Sequence, residues 1–128
     1  MTTTETTLLY VFLLLGSLEL ISNAYHLTRG STAEISKSAK KQHQELPMDL
    51  SDRHYLLKVI AMLFFGITFL TVGLSMLLTG RFQPGPALLS MAGLSIYSIV
   101  QAIFYRRYWR VWTAILVYSL PLVIYFWF

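Results

Sequence analysis

The sequence predicts an all-α integral membrane protein, a four-transmembrane-helix bundle forming a single domain over 1–128, with both termini on the non-cytoplasmic side. Three observations carry this expectation. Hydrophobic residues make up 55% of the 128 residues and charged residues 12%, with a mean hydropathy of +0.58, a balance outside the range of water-soluble domains. The apolar residues gather in four runs, approximately 8–27, 55–78, 86–105 and 109–128, each close to the roughly 20 helical residues that cross a hydrocarbon core of about 30 Å. The basic residues, finally, are gathered almost entirely on one side of those runs.

The first run, 8–27, follows a flank without Lys or Arg and shows no small-residue cleavage site ahead of a soluble domain. It is therefore expected to be a retained span and not a secretory signal. The polar connection 28–53 opens with Gly30, a candidate helix C-cap because glycine tolerates positive φ. Ser31 to Glu34 then reads S-x-x-E, the pattern of a capping box, so a short helix is expected to run toward Glu45 and to stop at Pro47. Lys37, Lys40 and Lys41, beside Ile35 and Ala39, suit a solvated connector better than a surface-bound helix.

The second run, 55–78, has Ser51 and Asp52 placed to cap its start and Gly80 placed to end it. Pro84 and Gly85 shorten the next connection to an antiparallel turn, making the second and third runs neighbours. Thr68, Thr71, Ser75 and Thr79, opposite Ser90 and Gly93, are expected to form the seam of that hairpin. The third and fourth runs join at Arg106, Arg107 and Arg110 without Gly or Pro. A single helix across both would be about 63 Å long, twice the hydrocarbon thickness, so a turn at the arginines is required. Tyr105, Tyr108, Trp109 and Trp112 surround that turn as an interfacial aromatic belt.

Orientation follows from the Lys and Arg count. Arg29, Lys37, Lys40, Lys41, Arg53 and Lys58 flank the first connection and Arg106, Arg107 and Arg110 the third, against Arg81 alone on the other side. Basic short loops are retained in the cytoplasm, which puts both termini outside, most simply in a bacterial inner membrane. The net charge of +4 is thereby explained by topology and no nucleic-acid partner is expected. The chain has no cysteine, hence no disulfide framework, thiolate metal site or thiol nucleophile. No cofactor or metal is expected.

Glu19 carries the most information, because it falls near the middle of the first run, where a charged side chain costs about 2.5 to 3.5 kcal/mol on insertion scales. It is expected to be neutral or paired, and a proton-carrying role is chemically available to it. Gly16, Glu19, Asn23 and His26 share one helix face, with Ser22 adjacent. Tyr97 and Ser98 are expected at the depth of Glu19 and Gln101 one turn nearer the cytoplasm, with Lys58 able to reach inward and pair with Glu19. The set Glu19, Asn23, His26, Lys58, Tyr97, Ser98 and Gln101 is thus a candidate intramembrane polar network. It reads either as a proton, cation or polar-solute path or as interhelical hydrogen bonding.

Other clusters are weaker. His26 and His54 flank the first connection, with His43 in the loop between them, and are weak metal or haem candidates without the spacing of a metal motif. Asp49, Asp52 and His54 are a sparse catalytic candidate that helix capping largely explains. Arg106, Arg107 and Arg110 are candidate contacts for anionic lipid headgroups. A carboxylate in the first of four spans resembles the small multidrug-resistance exporters at that one residue. Four spans with a long polar first connection are also similar to the membrane-associated eicosanoid and glutathione enzymes, whose E-R-x-x-x-A-x-x-N-x-x-E signature is absent here. Neither family is assigned. The leading expectation is an accessory or oligomeric subunit of a membrane complex, with membrane lipids, a second copy or a larger assembly as partners. A proton-coupled transporter or small channel using Glu19 stands second and a lipid-modifying enzyme third.

Overall fold

The computed structural model describes residues 1–128 as six helices and no strands: α1 (Thr3–Leu27), α2 (Thr32–Lys40), α3 (Asp52–Thr79), α4 (Pro84–Phe104), α5 (Arg110–Tyr118) and α6 (Leu120–Trp127). α1, α3 and α4 are each long and apolar enough to cross a membrane, and α5 with α6 form a bent pair that reaches this criterion together. The bundle carries exposed Leu14, Leu18, Ile21, Phe64, Leu78, Leu89 and Phe104 around its outside, an apolar exterior consistent with a membrane protein.

α1 and α3 lie antiparallel and form the tightest contact in the fold. At Gly16 a Cβ would stand 2.4 Å from the Leu70 nitrogen, and at Gly66 it would stand 2.6 Å from the Leu20 nitrogen. These distances admit no side chain, so the two backbones touch because small residues occupy the crossing. Glu19 is held directly beside this contact, against Gly66. On one side of the crossing Leu8, Leu9 and Phe12 of α1 pack with Met62, Phe69 and Met76 of α3 and Ala87, Met91 and Leu94 of α4. A second apolar cluster at the other end joins Ile35, Ala39 and Leu46 to Tyr55, Val59, Ala102 and Val111.

Several local expectations are revised. α1 begins at Thr3 instead of residue 8, because Thr2 and Glu5 form a complete capping box that the apolar pattern does not reveal. It ends on Thr28, so Gly30, at φ 108°, serves the following turn and is not the cap. Ser31 caps α2 by accepting from the Glu34 N–H, without the return bond from the Glu34 side chain that a capping box needs, and the helix stops at Lys40. α2 is no solvated connector: Ile35, Ser36 and Ala39 are buried as it packs on α3. Ser51 makes no side-chain cap for α3, whereas Gly80 ends that helix in the left-handed region at φ 68°.

The hairpin seam also differs. Only its outer end is polar: Gln83, at the N-cap position of α4, donates to Ser75 Oγ at 3.0 Å and to Thr79 Oγ1 at 3.4 Å, whereas the Thr68 hydroxyl turns back to Phe64 O of its own helix and the larger apolar residues named above build the rest of the α3–α4 contact. Backbonding of this kind satisfies a hydroxyl without a neighbour. The turn at the arginines is present at 105–109. The fourth run, however, is broken: α5 and α6 meet at an angle of 40° about Ser119. Pro121 explains the break, since it lacks the N–H that would bond Val117 O and its ring would strike that carbonyl. The Ser119 hydroxyl lies 2.6 Å from the Ser95 hydroxyl, which fixes the break against α4.

Candidate functional site

The interior polar site is assembled from four helices and the connection after α2. Lys58 lies two turns into α3 and is only 2% exposed. A buried ammonium is tolerable only if each N–H finds an acceptor. The three acceptors are Glu45 Oε1 at 2.8 Å, Gln101 Oε1 at 2.6 Å and the Tyr118 hydroxyl at 2.9 Å. The Tyr118 O–H in turn donates to Glu45 Oε1 at 2.6 Å, closing a ring of three polar groups. The face of Tyr97 lies 4.9 Å from Nζ and completes the enclosure.

Glu45 reaches this position because Leu46 is fully buried beside it and Pro47 O accepts the Tyr55 hydroxyl at 2.7 Å. Burial alone pushes the Glu45 carboxyl up. The Lys58 ammonium beside it, with hydrogen bonds from Lys58 and Tyr118, more than offsets this and holds it below the usual carboxylate range.

A second chain of bonds starts at Glu19. Asn23 Nδ2 donates to Glu19 Oε2 at 2.8 Å and to the Glu19 carbonyl at 2.7 Å. These two acceptors fix the orientation of the amide, so Asn23 Oδ1 faces His43 and accepts from its Nε2–H at 2.9 Å. His43 is pushed down to about 4, first by burial and then by the positive charge of Lys58, with Glu45 opposing and His26 adding to the effect. It is a neutral donor at physiological pH. His26 stands apart: its Nδ1 lies 2.7 Å from Ser38 Oγ and its Nε2 2.6 Å from Gln42 Oε1, while Gln42 donates to Ser22 at 3.0 Å.

The expected network is thus partly assembled and partly redistributed. Glu19 and Asn23 join as their spacing suggested. Lys58, Tyr97 and Gln101 come together, but the ion partner of Lys58 is Glu45 and not Glu19. Ser98 bonds the Ser95 carbonyl of its own helix, and His26 serves the α1–α2 contact. His54 pairs with the Tyr105 hydroxyl at 2.8 Å, away from His26 and His43. Glu45, His43 and Tyr118 are the site residues that periodicity did not expose. Leu46 and Pro47 inside a polar stretch were the available signal, because an isolated large apolar residue there must be anchored somewhere.

Glu19 faces an enclosed space of about 120 Å³. Leu15, Met62, Phe65, Phe69 and Leu94 make its apolar wall, and Val117, Tyr118 and Pro121, from either side of the helix break, make the opposite wall. One carboxyl therefore projects into an aromatic-lined cavity bordered by a discontinuous helix.

Arg106 and Arg107 line one open groove and Arg110 another, beside Glu45 and Tyr118. No protein family matches the chain, and neither curated proteins nor solved structures give a match to it.

Proposed function

We propose that the chain is an integral membrane protein of four spans, with α2 and the 105–109 turn on the cytoplasmic side, and that it moves a small solute in exchange for protons carried by Glu19. One observation carries this reading: Lys58 is neutralised by Glu45, so Glu19 stands without a cation partner on a cavity whose far wall is the break in the fourth span. An ionisable residue in the interior of a span is costly and pairs or performs work. Discontinuous helices beside such a residue supply polar backbone and a hinge at the depth where transporters bind their cargo. The bonds from Glu19 through Asn23 to His43 lead from the cavity toward the polar end, where Gln42 meets solvent.

The test is proton uptake by proteoliposomes holding an entrapped pH dye, with a panel of small organic solutes applied against an imposed pH gradient. Solute-dependent proton flux is expected for the native chain and its loss for Glu19→Gln. Flux that persists undiminished in Glu19→Gln, or a native chain that moves no protons with any solute, overturns the reading.

A second reading, an accessory or oligomeric subunit acting through helix contacts, is favoured by the internal pairing of the buried polar side chains, of which only Ser36 Oγ and Gln101 Nε2 lack a partner. Native mass spectrometry after gentle extraction from the source membrane separates the two. A reproducible foreign subunit supports the accessory role, and recovery of this chain alone supports the transporter.

A further inference from the structure

The turn between α4 and α5 offers a surface the interior site does not use. Arg106 and Arg107 are both exposed and neither is ion-paired, since the single salt bridge of the chain is Lys58–Glu45. They line an open groove of about 730 Å³ with Pro47, Asp49, Tyr105 and Tyr108, and its rim carries Ile103 and Phe104 at 58% and 76% exposure. The groove is rigidly framed. The Trp112 indole N–H donates to Arg106 O at 3.0 Å, and His54 Nδ1 holds the Tyr105 hydroxyl. Arg110, although in the same basic cluster, lines a different groove and lies over Trp109.

We propose that this groove is a binding site for one anionic phospholipid, seated with its phosphate between Arg106 and Arg107 and an acyl chain along α4. Charge selects the occupant. Two guanidinium groups against the Asp49 carboxylate leave one net positive charge in the groove, which matches a headgroup with a single negative charge. A zwitterionic headgroup would bring a cation that the two arginines repel. Shape selects a lipid over free phosphate, because Ile96, Ile99 and Ile103 are all exposed and follow i, i+3, i+7 spacing up α4 from the groove. That apolar track extends about 10 Å from the headgroup position. The turn's aromatic residues Tyr105, Tyr108 and Trp109 stand where headgroups and hydrocarbon meet. Of the three arginines, the structure assigns the lipid to two and leaves Arg110 outside the site.

This inference rests on the membrane location proposed above and not on the transport reading. The experiment reconstitutes the full chain in phosphatidylcholine vesicles and in equimolar phosphatidylcholine and phosphatidylglycerol. Lipid retained per chain is then read by native mass spectrometry. Preferential retention of one phosphatidylglycerol is expected, falling about fivefold for Arg106→Gln and for Arg107→Gln, the effect of about one cation at an anionic surface, and remaining unchanged for Arg110→Gln. Each variant keeps two of the three arginines at the turn, and circular dichroism in pure phosphatidylcholine verifies its helix content. Equal retention of the two lipids by the native chain overturns the site, and it does so even if a variant fails to insert. An equal drop for Arg110→Gln also overturns it, because diffuse attraction to the basic turn then suffices. Failure of the native chain to enter phosphatidylcholine vesicles refutes the membrane location itself, a result distinct from either.

Discussion

Removing Glu45 tests the reading of the interior site most directly. In Glu45→Leu the Lys58 ammonium loses an oxygen at 2.8 Å and Tyr118 loses the acceptor of its hydroxyl. At an effective dielectric of 20 the lost attraction is about 6 kcal/mol. Gln101 and Tyr118 still accept from Lys58, and the lysine can shed its proton, so the net loss is expected nearer 3 to 5 kcal/mol, as for other broken buried pairs (about that range). Lys58→Met alone leaves Glu45 without its cation and is expected to destabilise as well, but less, because the Glu45 side chain keeps 17% of its exposure and can turn outward. The double variant Glu45→Leu/Lys58→Met removes both charges and is expected to recover most of the loss. The assay is reversible unfolding by sodium dodecyl sulfate in mixed micelles, followed by the fluorescence of Trp109, Trp112 and Trp127. A Glu45→Leu variant within about 1 kcal/mol of the native chain, a shift too small for a broken buried pair, would refute the argument. So would a double variant no more stable than the worse single one.

Three further outcomes follow from the same geometry. His43 is held at about 4 in the folded chain against 6.5 when unfolded. The unfolded chain therefore binds a proton first, and about 3 kcal/mol of stability present above pH 6.5 is expected to drain away as pH falls toward 4; His43→Gln should flatten that part of the profile in the same unfolding assay. Gly66→Ala places a methyl 2.6 Å from the Leu20 nitrogen and is expected to cost about 1 to 3 kcal/mol by forcing α1 outward, while Gly85→Ala, with open space around it, should be tolerated. Pro121→Ala restores the N–H that Val117 O lacks and is expected to slow amide exchange at 119–122; unaltered exchange would assign the break to the Ser95–Ser119 contact instead.

The main architecture was legible in the sequence because hydrophobic length is a strong signal: three runs correspond to unbroken helices, with ends shifted by only a few residues. The fourth is interrupted because Pro121 sits in a run whose hydropathy is unaffected by it, so an apolar count passes over a backbone defect. The intrahelical pair Glu19–Asn23 was legible for a related reason, since i and i+4 positions must meet on any helix. Glu45, His43 and Tyr118 were not, because they come together across the fold. A lysine one or two turns inside a span needs a partner, but helix periodicity names only partners on helices, and here the partner is in the connection, delivered by the burial of Leu46. Expecting Lys58 to pair with Glu19 followed from treating that connection as solvated. Once Ile35, Ala39 and Leu46 are counted as core, the loop carboxylate becomes the nearer choice.

That exchange of partners changes what Glu19 and the connection mean for each other. The folded connection brings two groups to the interior on one short segment: Glu45, which neutralises Lys58, and His43, which donates to the amide that holds Glu19. Any movement that withdraws residues 43–45 therefore does two things at once. It uncovers the Lys58 ammonium, and it frees Asn23 Oδ1 from its donor. The amide already gives both of its N–H groups to Glu19, so freeing its oxygen adds no donor to the carboxyl and leaves that acceptor to be satisfied elsewhere. The Glu45–Lys58 pair is then better understood as the contact that seats the connection after α2 against the interior in one register than as a contribution to stability alone, for which a pair of apolar residues would serve as well.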